Sequence, residues 1–204
     1  MNKQSNWDTR YQQSEHLFGT RINQFLISQK KRLKPGMNAL SIADGEAFNS
    51  IFLAELGLHV LSLDISQTAQ EKARLNIKNK TSNVTLRCAD ILEQSFQQAS
   101  FDVITVFFLH IPSTQRHLLH QKIMYWLKPG GLLLYECFDA DQTLQDWMPK
   151  DKNLLLSKQQ IREDFSELTS IHLDKKSTLS YEETLGEITV VTLQYAGLRA
   201  SKNS

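Results

Sequence analysis

The sequence has few of the features that mark membrane-spanning or nucleic-acid-binding chains. Its longest apolar runs, such as Val103–Leu109, are far too short to cross a bilayer. The 23 basic and 22 acidic side chains leave a net charge of +1, which argues against a basic stripe for nucleic-acid phosphates. We therefore expect neither a nucleic acid nor a membrane as a partner.

Cysteine is also scarce, since Cys88 and Cys137 are the only two. Both stand in strand-like apolar stretches, which predicts reduced, buried thiols and not a disulfide or a metal site. The first residues lead into no apolar segment of the kind found in secretory signals. Together these features predict a cytoplasmic protein.

What the chain does have is 41% hydrophobic and 22% charged residues, the balance of an ordinary globular domain. Strand-like and helix-like segments alternate, which predicts a doubly wound α/β sheet. The predicted strands are Asn38–Ala43, His59–Leu63, Val84–Cys88, Phe101–Leu109 and Leu132–Phe138, and the predicted helices cover 22–33, 50–58, 66–77 and 113–127. Two later stretches, Ser170–Tyr181 and Glu187–Tyr195, predict a hairpin that completes a mixed sheet of about seven strands with an antiparallel last strand.

In such a sheet, ligands bind beyond the carboxyl ends of the strands. The first turn there, Ala43-Asp44-Gly45, consists of small residues that let the backbone approach a cofactor, and Asn49 could cap the next helix. The turn lacks the dinucleotide pattern G-x-G-x-x-G, so by itself it fits an ordinary strand-to-helix turn equally well.

Acidic residues end the second and third strands. Asp64 follows the first turn by about twenty residues, where a carboxylate can accept hydrogen bonds from both hydroxyls of an adenosine ribose, or cap a helix. Asp90, after Ala89, could accept a hydrogen bond from an adenine amino group or cap a loop. Ile65 and Ile91 would supply apolar contacts to the purine.

These residues carry a family resemblance that runs in order across most of the chain. The features that match are Trp7-Asp8-x-Arg10-Tyr11 with Phe18-Gly19 and Asn23, the turn Ala43–Ser50, the pair Asp64 and Asp90, and Leu127-Lys128-Pro129-Gly130-Gly131 before an apolar strand. The sequence resembles the class I, Rossmann-like S-adenosylmethionine-dependent methyltransferases, in particular the small tellurite-resistance and thiopurine-methyltransferase-like group.

The resemblance implies one methyltransferase domain over residues 1–204, with 1–34 as a helical cap over the cofactor site and 35–204 as a Rossmann-like core. It implies S-adenosylmethionine as methyl donor, S-adenosylhomocysteine as product, and a small-molecule acceptor with a thiol or other chalcogen nucleophile. The N-terminal aromatics would present ring faces to the sulfonium, or pack as a hydrophobic flap. The cofactor-binding residues predicted in this way are Trp7, Tyr11, Phe18, Ala43, Asp44, Gly45, Asp64, Ile65, Ala89, Asp90, Ile91 and Phe107.

His110 is the candidate catalytic residue, because at the end of the fourth strand it can touch the acceptor or act as a base. The alternative is a loop histidine whose partners are backbone groups. His117 and His120 have helical spacing without a further ligand at a recognisable distance, so no metal site is predicted. Trp147 and Met148 follow the fifth strand and would line a substrate lid or anchor a surface loop.

The first turn departs from the family's pattern. Ser41 stands where the family has an acidic residue, Ala43 and Ala47 stand for glycines, and Phe48 stands for an arginine. Alanine is strained wherever a positive φ is required. Two alternatives therefore stay open, an S-adenosylmethionine-binding protein without turnover and an NAD-dependent oxidoreductase, although Lys128–Gly131 counts against the second.

Overall fold

A seven-stranded sheet organises the computed structural model, which describes residues 3–78, 80, 83–142, 151–182 and 186–201. The strands are β1 (Asn38–Ile42), β2 (His59–Asp64), β3 (Val84–Cys88), β4 (Phe101–Phe107), β5 (Leu127–Phe138), β6 (Leu168–Glu182) and β7 (Gly186–Arg199). The helices are α1 (Lys3–Gln12), α2 (Gln24–Ser28), α3 (Phe48–Glu55), α4 (Gln67–Ile77), α5 (Ser113–Trp126) and α6 (Lys158–Asp164), with 3-10 turns at Lys30–Arg32, Ile91–Glu93 and Lys152–Leu154.

The strand order β3-β2-β1-β4-β5-β7-β6 confirms the predicted fold class. The first five strands in this order are parallel, whereas β7 runs antiparallel to both β5 and β6. The winding reverses between β1 and β4, and an open α/β sheet binds its ligands outside the carboxyl ends of the strands at such a reversal. The topology therefore directs attention to the residues that follow β1, β2 and β4.

Two apolar clusters cover opposite faces of the sheet. Alternate residues of β4 belong to different clusters, with Ile104 in the one that contains Trp126 and Val103 in the one that contains Leu53. Because helices pack on both faces, β4 is buried along nearly its whole length. This explains why the sequence of β4 is a nearly continuous apolar run.

Two local predictions are wrong. The helix predicted for 22–33 ends at Ser28, because the backbone hydrogen bonds tighten to the three-residue spacing of a 3-10 turn from Gln29 onwards. Cys88 is exposed, since β3 is the edge strand of the sheet and its last residues face solvent. Cys137, in the interior strand β5, is buried as predicted.

Two further expectations concern a membrane-spanning helix and the candidate substrate lid. Among the described residues, no helix has the length and apolar character needed to cross a bilayer. Trp147 and Met148, the candidate lid residues, lie outside the described part of the chain.

Candidate functional site

The ends of the first three strands are joined by direct hydrogen bonds. The Asp44 amide donates to the Leu63 carbonyl over 3.3 Å, and the Gly45 amide donates to Oδ2 of Asp64 over 2.8 Å. The Ala89 amide donates to the Asp64 carbonyl over 2.9 Å. The residues predicted to bind a cofactor after β1, β2 and β3 thus lie together at one edge of the sheet.

The first turn has a left-handed backbone at three positions. The φ angles are 55° at Ala43, 57° at Gly45 and 65° at Ala47, a region that costs about 1–2 kcal/mol for a residue with a side chain. Ala47 is the N-cap residue of α3 and makes no side-chain capping bond. The predicted cap by Asn49 is wrong, because Asn49 already lies inside α3 and its Oδ1 accepts a hydrogen bond from the Asn23 amide over 2.9 Å.

Two carboxylates with buried oxygen atoms lie at this turn, Asp44 within it and Asp64 next to it. Asp64 is 6% exposed, its Oδ1 accepts the Ser66 amide over 2.9 Å, and burial raises its pKa to about 6. Asp44 accepts hydrogen bonds from the hydroxyls of Ser50 and Ser62 through Oδ2, and burial raises its pKa as well. Its Oδ1 is buried and has no hydrogen-bond partner among the described residues. Asp44 therefore has one buried acceptor position that no described residue uses.

Helix α1 lies over the first turn through Tyr11, which is 4% exposed. A Cβ atom built on Gly45 would stand 2.5 Å from the Tyr11 hydroxyl oxygen, so this close approach requires glycine. Burial raises the pKa of Tyr11 well above its usual value, and the nearby carboxylates add to the effect. The phenol is therefore protonated and available as a hydrogen-bond donor.

Two side chains that sequence reasoning missed fasten α1 to α4. Oδ1 of Asp8 accepts the Ser66 hydroxyl over 2.6 Å and the Thr68 amide over 3.0 Å, at the N-terminus of α4. From the middle of α4, the Lys72 ammonium donates to three backbone carbonyl oxygens at and just beyond the end of α1. Asp8 belongs to the Trp7-Asp8 pair of the sequence pattern, but the pattern predicted no contact for its side chain.

The N-terminal aromatic residues form a cluster of their own. The ring centroids of Trp7, Tyr11 and Phe18 are 6.2–6.4 Å apart. Cζ of Arg10 lies 4.6 Å from the Trp7 ring centroid and 5.7 Å from that of Phe18. Arg10, and not an external cation, thus occupies ring faces that were predicted to meet a sulfonium.

The larger apolar residues predicted to contact the cofactor from the strand ends divide into two groups. Ile65 is half-buried and can contact a ligand, whereas Ile91 and Phe107 are buried and belong to the two core clusters. Oδ1 of Asp90 accepts the Leu92 amide over 2.9 Å and so caps a 3-10 turn. Asp90 therefore makes the loop-capping contact that was predicted as its alternative role.

His110 stacks flat on Phe138, with ring centroids 5.2 Å apart and an interplanar angle of 6°. Burial, with a smaller contribution from the charge of Arg10, lowers the pKa of His110 to about 4. The imidazole is therefore neutral at pH 7 and a weak base.

The other two candidate histidines lie on α5. Nδ1 of His120 stands 2.8 Å, and Nδ1 of His117 3.7 Å, from the Asp164 carboxylate. The described part of the chain contains no group of three side chains suited to a metal ion.

A buried glutamate at the end of β5 was also missed. Glu136 is 6% exposed, and its Oε1 accepts hydrogen bonds from Thr192 over 3.0 Å and Gln194 over 2.8 Å. Its Oε2 accepts Nδ2 of Asn23 over 2.6 Å. The sequence signal that could have identified Glu136 is an acidic residue within an otherwise apolar strand. Asn23 thereby links the N-terminal segment to β5, and through its own amide to α3.

Comparison with known proteins gives a partial match in sequence. Residues 39–131 match a family model described as a methyltransferase domain. The chain is 35% identical to carboxy-S-adenosyl-L-methionine synthase of Pseudoalteromonas translucida over 91 residues, which cover 43% of this chain and 38% of that protein. It is 30% identical to ubiquinone biosynthesis O-methyltransferase of Coxiella burnetii over 117 residues, 56% of this chain and 49% of that protein. The match thus spans less than half the length of these curated relatives.

Comparison of the fold gives nearly complete coverage of this chain. TehB from Haemophilus influenzae superposes with a TM-score of 0.77 and 15% sequence identity, over 97% of this chain and 67% of that one. At this identity the likeness concerns the fold alone, so the narrower tellurite-resistance group stays a prediction. Over residues 39–131 the chain is therefore similar to methyltransferase domains, and its seven-stranded sheet has the fold seen in TehB.

Proposed function

We propose that the protein transfers a methyl group from S-adenosylmethionine to a small acceptor whose nucleophile is a thiol or another chalcogen. The observation that carries the proposal is the buried Asp64, which joins the end of β2 to the first turn through Gly45. In this fold a carboxylate at that position can accept hydrogen bonds from ribose hydroxyls. S-adenosylmethionine is the cofactor of the matched family.

The residues around the first turn fit this cofactor. Asp64 would hold the ribose hydroxyls, and the buried, unpartnered Oδ1 of Asp44 would accept hydrogen bonds from the ammonium group of the methionine portion. Ile65 and Ala89, both half-buried, would contact the purine. The Asp90 oxygen that does not cap the 3-10 turn would accept from the adenine amino group.

Cofactor binding requires α1 to shift. The Tyr11 hydroxyl packs against Gly45, and Asp64 is 6% exposed beneath the N-terminal segment. Displacing Tyr11 would open the first turn, and its return would exclude water from the bound donor. We propose in this sense that residues 1–34 form a cap over the cofactor site.

S-adenosylmethionine, when bound, supplies a methyl group on a positively charged sulfur that leaves as a neutral thioether. The chain's own contribution is to hold the acceptor in line with that methyl group and to exclude water. His110, whose ring stacks on that of Phe138, would contact the acceptor. As a neutral imidazole with a pKa of about 4, it would orient the acceptor and not deprotonate it.

The first prediction concerns Asp64. Replacing Asp64 with alanine should weaken S-adenosylhomocysteine binding by about 1–3 kcal/mol, because the ribose hydroxyls lose a buried acceptor. The matched control is Asp102→Ala, an aspartate that also accepts a backbone amide, that of Asn38, and pairs with Lys128. Calorimetric titration of both folded variants measures the effect. Equal affinity in wild type and Asp64→Ala would refute the ribose assignment.

Turnover is tested separately, because the left-handed alanines at 43 and 47 favour the alternative of a binding protein that has lost activity. Single-turnover reactions of the protein with labelled S-adenosylmethionine and a panel of small thiols should yield methyl thioethers. Tight cofactor binding without any methylated product would favour the alternative.

A further inference from the structure

Arg10 has hydrogen-bonding groups without partners. It lies half-buried in the last turn of α1, and its guanidinium group has neither a hydrogen bond nor an ion pair with any residue that the structure describes. Trp7 and Phe18 contact its guanidinium group through their rings. Stacking uses the flat face of a guanidinium, whereas its five N–H donors project from the edge. Those donors are open to a ligand.

The position of Arg10 connects the two halves of the site. Its neighbour in the chain, Tyr11, packs against the first turn at Gly45. On the other side, the charge of Arg10 contributes to lowering the pKa of His110, which follows β4. The helix that carries Arg10 also contacts the segment that follows β4, because the Lys3 ammonium at its start donates to Oε1 of Gln115, in the first turn of α5, over 2.7 Å. Helix α1 therefore joins the cofactor turn to the strand end at which an acceptor would bind.

The charge at this place matters because no strong base accompanies it. His110 is neutral at pH 7 and takes up a proton poorly, with a pKa of about 4. A thiol with an ordinary pKa of about 8.5 would keep its proton in such a site. A deprotonated acceptor, in contrast, would find an unpaired positive charge there.

We propose that Arg10 is the counter-ion of the acceptor, and that the acceptors are small molecules whose sulfur or other chalcogen atom is an anion at neutral pH. This inference rests on the proposed methyl transfer. A lone pair of the anion forms the bond to the methyl carbon, while the carbon–sulfur bond of the donor breaks and its electron pair stays on the donor sulfur. The negative charge of the acceptor and the positive charge of the sulfonium both disappear, and no proton moves.

The test uses two probes that differ in charge and share a ring. Para-nitrobenzenethiol is a coloured thiolate at neutral pH, and its S-methyl ether is neutral. Each is titrated into the full chain, with and without saturating S-adenosylhomocysteine, and the thiolate is followed by its absorbance. The wild-type protein is expected to bind the thiolate more tightly than the ether.

Three variants isolate the charge. Arg10→Met removes it and keeps a long apolar stem, Arg10→Lys retains it, and Arg87→Met removes another arginine that stacks on an aromatic ring, at 5.4 Å from Phe96. Arg10→Met should weaken thiolate binding about ten- to one-hundredfold and leave ether binding within about twofold. Arg10→Lys should keep most of the preference, and Arg87→Met should match the wild type.

Equal thiolate affinity in wild type and Arg10→Met would overturn the proposal and leave Arg10 as a packing residue. So would a wild-type protein that does not distinguish thiolate from ether. If Arg10→Met does not fold, Arg10→Gln takes its place in the same comparison. Because the probes are titrated without a methyl donor, the result for Arg10 is independent of turnover, and loss of S-adenosylhomocysteine binding or of methyl transfer would count against the proposed function alone.

Discussion

At the scale of single residues, Asp64 is a buried carboxylate whose pKa is raised by its surroundings. It is buried, accepts two backbone amides, and has a raised pKa near 6 because burial disfavours its charged form. The protein keeps this carboxylate at a cost in stability, as is common where a polar group serves a ligand. Asp44, whose buried Oδ1 has no hydrogen-bond partner among the described residues, is a second such residue.

The raised pKa of Asp64 predicts how stability depends on pH. Between its usual pKa of 3.8 and about 6, the folded protein retains a proton that the unfolded chain releases. The contribution of Asp64 to stability is therefore greatest below the first value and is lost as the pH rises through the second. Asp64→Asn removes this dependence. The unfolding free energy of the variant minus that of wild type should therefore increase as the pH rises from 4 to about 6.

Urea denaturation of the two proteins across this range measures the difference. Subtracting one curve from the other cancels the opposite trend of His110, whose lowered pKa favours the folded state as the pH rises from about 4. A difference that stays constant with pH would mean that Asp64 has an ordinary pKa in the folded protein.

At the scale of elements, α1 is held on the molecule by contacts with α4 more than by a large apolar face. Only Tyr11 among its residues is buried. Asp8 caps the start of α4, and Lys72 of α4 in turn caps the end of α1. A helix attached in this way can leave the first turn without disturbing the core of the sheet.

Removing one of these contacts should release α1. Asp8→Ala deletes the acceptor for Ser66 and Thr68, at a cost of about 1 kcal/mol for a lost helix cap. We expect amide hydrogen exchange in residues 3–12 to accelerate roughly fivefold to tenfold. The matched control is Asp151→Ala, which deletes the cap of the 3-10 turn Lys152–Leu154. Unchanged exchange in α1 of the Asp8 variant would show that other contacts hold the helix.

At the scale of the whole molecule, the sheet was readable from the sequence because its signals are local. Apolar runs such as Phe101–Phe107 mark strands buried on both faces, and the last two extended stretches predicted the antiparallel hairpin. The position of Asp64 followed from its place at a strand end. These features depend on neighbouring residues and on one general rule of topology.

The features of the site that the sequence did not predict depend on contacts between distant parts of the chain. Glu136 meets Asn23 across more than a hundred positions, and Asp8 meets Ser66 across 58. No local pattern pairs such residues. The cap predicted at Asn49 failed because the left-handed backbone of Ala47, unusual for alanine, starts the helix earlier.

The cofactor assignment is tested most directly by calorimetric titration of the purified wild-type protein with S-adenosylmethionine, S-adenosylhomocysteine and NADH. We expect micromolar binding of the two adenosyl ligands and no binding of NADH, because Asp64 and Asp44 present acceptors for ribose and ammonium groups while the turn lacks the dinucleotide glycines. Binding of NADH, or the absence of heat with both adenosyl ligands, would contradict the assignment and the methyl transfer proposed from it.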